Sequence, residues 1–192
     1  MGNKHSGNKK RKPSKKVLEQ IRQNTSFSDR EIMQLYSSFM KHCPSGQMKE
    51  RQFEQMYRDF YKQSDAANFA RHVFRTFDRN DDKSIDFREF ICSVSVLCHG
   101  TKREKLRWAF SLSDVDDSGC ISEDELRDVI KSIFDMMSVE RRQQFLDDNE
   151  TPEYVASRLF VQMDENGDGT VTLDEFLAAA SDDAVILKLL GI

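Results

Sequence analysis

The twelve residues from Asp164 to Glu175 leave this chain fewer options than any other stretch. They read Asp-Glu-Asn-Gly-Asp-Gly-Thr-Val-Thr-Leu-Asp-Glu. Oxygen side chains stand at positions 1, 3 and 5 (Asp164, Asn166, Asp168), glycine at 6, a branched apolar residue at 8 and glutamate at 12. A hard divalent cation takes six to eight oxygens, so a loop that wraps one must turn sharply and aim alternate residues inward. Gly169 allows the turn at positive φ without the strain a Cβ would meet. Thr170 at position 7 offers its backbone carbonyl, and Glu175 closes the cage with both carboxylate oxygens. The pattern is that of a calcium loop between two helices.

Three more windows share the frame. Asp78, Asn80 and Asp82 occupy positions 1, 3 and 5 of a loop that continues through Ser84, Ile85 and Asp86 to Glu89. Lys83 stands where glycine is expected. A residue with a Cβ in a left-handed turn costs on the order of 1 kcal/mol, so binding is expected there in weakened form. Asp114, Asp116, Ser118, Cys120 and Glu125 set out a third loop, in which Ser118 is an uncharged substitute for aspartate. The window 41–52 keeps Gly46 and Met48 at positions 6 and 8 but has Lys41 at 1, Cys43 at 3 and Gln52 at 12. Lysine puts positive charge where a cation would sit, and Pro44 stiffens the turn. No calcium is expected in this first loop.

Loop starts at 41, 78, 114 and 164 make a repeat of one helix-loop-helix unit each, an EF-hand, with the last interval lengthened by a polar insertion at 138–151. The expected fold is all-α: four EF-hand units in two pairs, with short two-strand bridges between paired loops. Position 8 (Met48, Ile85, Ile121, Val171) should pair first loop with second and third with fourth. The dead first loop thus keeps a structural task. Asp86/Glu89, Ser122/Glu125 and Thr172/Glu175 double as capping boxes, so each loop end starts the helix that follows. Ser28/Glu31 and Thr101/Glu104 repeat the device, and Thr151-Pro152 opens another helix. The expected divisions are a basic N-terminal arm at 1–25, a first pair at 26–99, a second pair at 100–181 and a terminal helix at 182–192.

Aromatic and methionine side chains crowd the first pair. Tyr36, Phe39, Met40, Phe53, Met56, Tyr57, Phe60, Phe74, Phe77 and Phe90 fall at helical spacing and are mostly core candidates. In a sensor that opens, the same side chains would line a groove suited to an amphipathic helix of a protein target.

Charge separates the ends of the chain. Of 29 Lys and Arg, seven lie in residues 1–16 with no acid among them, which leaves 22 basic against 33 acidic residues in the rest. Met1-Gly2-Asn3-Lys4-His5-Ser6 fits N-myristoylation at Gly2. One acyl chain binds membrane only marginally, and the lysines from Lys9 to Lys16 could supply the second attraction to an anionic leaflet. A solvated tail or an import-like run are rival readings of the same lysines. Cys43, Cys92, Cys98 and Cys120 show no disulfide-like spacing, no secretory leader is evident, and no apolar run reaches membrane-spanning length, so the expected place is the cytoplasm, reversibly or constitutively at the inner face of membranes.

The chain resembles the neuronal calcium sensor family, the recoverin, visinin-like, neurocalcin and hippocalcin group. The resemblance rests on Gly2 with Ser6, Cys43-Pro44-Ser45-Gly46, Phe74-Arg75-Thr76-Phe77-Asp78, Ile85 through Ile91, and Leu106 through Phe110. It implies a myristoylated sensor whose calcium binding changes the exposure of lipid and groove, acting on a receptor, kinase, channel or cyclase. Guanylate-cyclase-activating proteins share the Cys-Pro-Ser-Gly loop and are similar near Leu106-Arg107-Trp108 and Gly119-Cys120-Ile121. Lys83 and the lysine-rich arm depart from the pattern. Up to three Ca2+ are expected, with Mg2+ able to enter when calcium is absent. A plain calcium buffer would explain the loops but not Gly2 or the dead unit. No nucleophile-base pattern points to an enzyme, and the acidic body argues against nucleic acid.

Overall fold

The computed structural model describes residues 12–61, 65–143 and 150–190. Gly2 and the basic residues before Lys12 lie outside them, as does part of the polar insertion.

The first pair contains α1 (Lys15–Asn24), α2 (Asp29–His42), β1 (Gln47–Lys49), α3 (Glu50–Phe60), α4 (Ala67–Phe77), β2 (Ser84–Asp86) and α5 (Phe87–His99). The second contains α6 (Lys102–Ser113), β3 (Cys120–Ser122), α7 (Glu123–Met136), α8 (Val139–Arg142), α9 (Pro152–Met163), β4 (Thr170–Thr172), α10 (Leu173–Ala180) and α11 (Ala184–Leu190). Helices dominate, and the strands form two antiparallel two-stranded bridges, β1 with β2 and β3 with β4. Met48 pairs with Ile85 and Ile121 with Val171. All four side chains are buried. A three-residue strand is not stable alone, so each bridge depends on the core into which its central residue is inserted.

The capping boxes form where the spacing puts them. Ser28 and Glu31 open α2, Asp86 and Glu89 open α5, Thr101 and Glu104 open α6, Ser122 and Glu125 open α7, and Thr172 and Glu175 open α10. In each, two amides that helix geometry leaves without partners are satisfied reciprocally. Thr151 caps α9 with Pro152 in its first turn.

Two elements differ from the sequence reading. The stretch 1–25, read as an arm, contains α1. The Ser14 hydroxyl accepts from the Val17 amide at 3.3 Å, Ile21 is fully buried, and Arg22 clasps Asp29 through two hydrogen bonds of 2.8 Å. Among the lysines, Val17, Leu18 and Ile21 form a short helical stripe that packs against the core. The terminal helix starts at Ala184 rather than Asp182, because Asp183 serves as its cap and accepts from the Val185 and Ile186 amides, each at 2.8 Å.

The two pairs meet where α4 packs on α6. The Trp108 indole N–H donates to the Thr76 hydroxyl at 3.1 Å. Beside it, Arg75 reaches three backbone carbonyls at the end of α6.

Candidate metal centres

Each loop follows directly from the helix that feeds it, so the first carboxylate sits at a helix C-terminus. That carboxylate is then held by backbone amides on the far side of the turn. In the second loop the Asp78 carboxylate accepts from the amides of Asp82 (3.1 Å) and Lys83 (2.9 Å). In the third, Asp114 accepts from Ser118 (2.9 Å) and Gly119 (3.0 Å). In the fourth, Asp164 accepts from Gly167 (2.9 Å), Asp168 (3.1 Å) and Gly169 (3.0 Å). Amides that fix position 1 also fix the curvature of the loop. At position 3, Asn80, Asp116 and Asn166 accept in turn from the position-5 amides at 3.0, 3.0 and 2.8 Å.

The turn has a second left-handed residue that spacing arguments did not single out. Position 4 takes positive φ in all three loops, 54° at Asp81, 56° at Asp117 and 71° at Gly167. Aspartate tolerates this region better than most residues, which was the available signal. At position 6, Gly119 and Gly169 have φ of 86° and 84°, and Lys83 is held at 63°. The lysine therefore does adopt the conformation expected to strain it. Its ammonium pairs with Asp81.

The closing glutamates separate the loops. Each uses one oxygen in its capping box. The other oxygen of Glu125 accepts from the amides of Val115 (2.8 Å) and Asp116 (3.2 Å), and that of Glu175 from the Asn166 side chain (2.9 Å). The corresponding oxygen of Glu89 is buried without a hydrogen-bond partner. The consequences appear in their acidity. Burial works against the Glu125 anion, but hydrogen bonds from Ser122, Val115 and Asp116 outweigh it and hold the carboxyl below the usual range. For Glu89 burial prevails and pushes the carboxyl up.

These observations fit a hard divalent cation. Asp114, Asp116 and Glu125 bring their ligand oxygens within 4.8 Å of one another, and among the described residues no other three His, Cys, Asp or Glu side chains are so gathered. Carboxylates collected this closely repel, and a cation is what relieves them. Asp82 and Asp168 are held below the carboxylate range chiefly by the hydroxyls of Ser84 and Thr170. Ser84, Cys120 and Thr170, at position 7, each begin a bridge strand, which orients the carbonyl expected to face an ion. An orphaned buried carboxylate oxygen at Glu89 is a further acceptor in want of a positive partner.

The first loop gathers no such set. Lys41 is exposed at position 1, and Cys43 at position 3 is turned into the core at 1% exposure. Gln52 at position 12 accepts from the Lys49 amide at 2.9 Å. Gly46 has φ of 84°, so the loop keeps the fold of its relatives without their chemistry.

The side chains expected to line a target groove are closed on one another in this conformation. Phe39, Phe53, Phe74 and Phe77 are buried, while Tyr36, Met40, Met56, Tyr57 and Phe90 are partly buried. Phe53 lies 5.8 Å from Phe74 and 5.5 Å from Phe77 between ring centres, and Phe39 lies 5.4 Å from Phe90. They form a core here, not a groove. Phe60 is the exception at 80% exposure. Tyr36 and Met40 border an open cleft of about 670 Å3 beside α1, shared with Val17, Gln20 and Phe87. Among the described residues no helix is long and apolar enough to cross a membrane.

Comparison with known proteins agrees with this geometry. Residues 103–181 match the family model of an EF-hand domain pair. Human (Homo sapiens) recoverin is 37% identical over 190 residues, spanning 99% of this chain and 93% of that protein. S-modulin of Aquarana catesbeiana is 36% identical over 190 residues, spanning 99% and 92%. Visinin of Gallus gallus is 34% identical over 177 residues, 92% of each. Likeness at this level along nearly the whole length, on a scaffold of paired loops that gather carboxylates, means that the chain belongs to the neuronal calcium sensor family.

Proposed function

We propose that this calcium sensor loads three loops, 78–89, 114–125 and 164–175, and passes the change to a membrane-associated target. The ligands would be Asp78, Asn80, Asp82, Ser84 and Glu89; Asp114, Asp116, Ser118, Cys120 and Glu125; and Asp164, Asn166, Asp168, Thr170 and Glu175. Ser84, Cys120 and Thr170 would serve through their carbonyls. Calcium, when bound, supplies a compact double positive charge that takes six to eight oxygens. The observation that carries the reading is the gathered trio of Asp114, Asp116 and Glu125.

The chain's own part is to turn loop closure into helix movement. Each closing glutamate sits in the first turn of an outgoing helix, so drawing its carboxylate toward the loop shifts that helix against the incoming one. In the first pair this would part the rings of Phe39, Phe53, Phe74, Phe77 and Phe90 and expose them to a target's amphipathic helix. Such a shift needs a difference in affinity between closed and open forms. A myristoyl group on Gly2 and the lysines of the arm would hold the protein at an anionic membrane, and Mg2+ would enter the loops when calcium is scarce. A guanylate-cyclase-activating role is the nearest variant of this reading.

The test is intact mass under native conditions, on protein from eukaryotic cells, with calcium and with chelator. Three calcium ions and one myristoyl mass are expected. A hydrophobic dye should bind more strongly after loading; unchanged dye binding with three ions bound would falsify the sensor reading in favour of a buffer.

A further inference from the structure

Loops paired by a bridge share strands, but the second and third loops belong to different pairs and share none. A side chain joins them instead. Arg75 lies in the last turn of α4, three residues before Asp78. Its Nη2 donates to the carbonyls of Ser111 and Leu112, each at 2.9 Å, and its Nη1 donates to the carbonyl of Asp114 at 2.7 Å. Nη1 also lies 3.6 Å from the Asp117 carboxylate. The contacts fall on the end of α6 and on positions 1 and 4 of the third loop.

The end of a helix leaves carbonyls without partners and carries partial negative charge. α6 has no basic residue in its last turn, so Arg75 supplies the missing cation and donors from another EF-hand. A planar guanidinium fork, with five donors in rigid geometry, suits the task of holding carbonyls and a carboxylate at once better than a rotatable ammonium does. The guanidinium grips the backbone of Asp114 itself, whose side chain is the first ligand position of the third loop. Its Nε is buried with no acceptor, so the side chain is held to this orientation by its Nη atoms alone.

We infer that Arg75 is a positioning residue that couples the second and third calcium loops. A change in the angle of α4 as the second loop closes pulls on the Asp114 backbone, and a change at the third loop pulls back on α4. Thermodynamic linkage makes the effect reciprocal: whatever factor one loop imposes on the other is returned. The Thr76–Trp108 hydrogen bond next to it keeps the two helices in register while the guanidinium transmits. The inference rests on the proposed use of loops two and three as ion sites.

The test is a coupling factor measured in the full chain. With the fourth loop disabled by Glu175→Gln, calcium calorimetry gives the product of the two remaining binding constants. Adding Glu89→Gln or Glu125→Gln gives each remaining loop alone. The two-loop product divided by the product of the single-loop constants is the coupling factor. It is expected to be about 5 or more with Arg75 in place, the lower end of ordinary allosteric coupling, and below about 2 with Arg75→Gln. Arg75→Lys keeps the positive charge and loses the fork, and is expected to lower the factor likewise; it decides the matter if Arg75→Gln fails to fold. A side chain that merely stabilised the protein would weaken both loops and leave the factor unchanged, and that result overturns the inference. So does a factor near 1 in the chain that retains Arg75. If the unmodified chain still binds three ions in either case, the proposed function stands and the coupling alone is lost.

Discussion

The two halves of the molecule use the same topology with opposite emphasis. The first pair has one loop without ligands, one with a lysine in a left-handed turn, a core of tilted and edge-on rings and an open cleft of about 670 Å3 beside α1. The second pair has two loops with glycine at the turn, a core of aliphatic side chains with Phe110, Phe134, Phe160 and Phe176 among them, a small space of about 40 Å3 lined by Leu112, Val129, Ile133 and Ile186, and a surface cleft of about 390 Å3 between α6 and α10. α11 contributes Ile186 to that core. The second half is built round two turns that need no strained residue, whereas the first is built round ring contacts and a turn held at positive φ by a lysine. The lesson is that one topology accommodates two different local solutions: carboxylates gathered round an unstrained turn in the second half, and aromatic side chains gathered behind a compromised one in the first.

The sharpest way to break this contrast is Glu125→Gln. It should remove one bound ion outright by calorimetry; an unchanged count means that the best-formed loop was not a site. Next come the cores. Phe53→Ala and Ile186→Ala should each destabilise the calcium-free protein, by about 3–5 and 2–5 kcal/mol respectively. Thermal melts in chelator should show each change in the transition of its own half, and a single shared shift would mean that the halves unfold as one unit. Smaller still is Lys83→Gly. Relief of about 1 kcal/mol of backbone strain should tighten the second loop about fivefold, while Gly119→Lys should weaken the third by a similar factor. No change in either means that position 6 does not set the difference between halves.

The smallest effect is a pH dependence on the seam. Burial lowers the affinity of His72 for a proton, with Arg75 and Arg71 acting in the same sense and Asp128 opposing. The ring is thus kept neutral by folding. Its contribution to stability is complete above the ordinary histidine value near 6.5 and is lost as pH falls through the lower folded value. His72→Gln should flatten this part of a stability-versus-pH curve measured in chelator; an unaltered curve would move its origin elsewhere.

Much of this was legible from spacing. The twelve-residue frames, the bridge register and the capping boxes are local or strictly periodic, and each reads directly from residue identity. The α1 helix is hard to read because charge dominates its start, although Val17, Leu18 and Ile21 carry the period. Arg75 left no trace as a coupler, since its partners are backbone carbonyls 36 to 39 residues away, and carbonyls have no sequence signature. The absence of any basic residue at the end of α6 was a faint hint. Whether the aromatic stripe stands open or closed depends on packing between helices, which helical spacing does not specify.

Cys43 gives the silent loop a permanence that its ligand positions alone would not. The counterpart residues Asn80, Asp116 and Asn166 are exposed to solvent, whereas this thiol is sunk in the core, where burial pushes its pKa up. Installing aspartate there would force a carboxylate among hydrocarbon side chains before it could greet a cation. Placing acids at 41, 43 and 52 would therefore disturb the core cluster that Cys43 shares with Met48 and Ile85. The third position of this loop thus belongs to the interior, where its counterparts belong to the solvent.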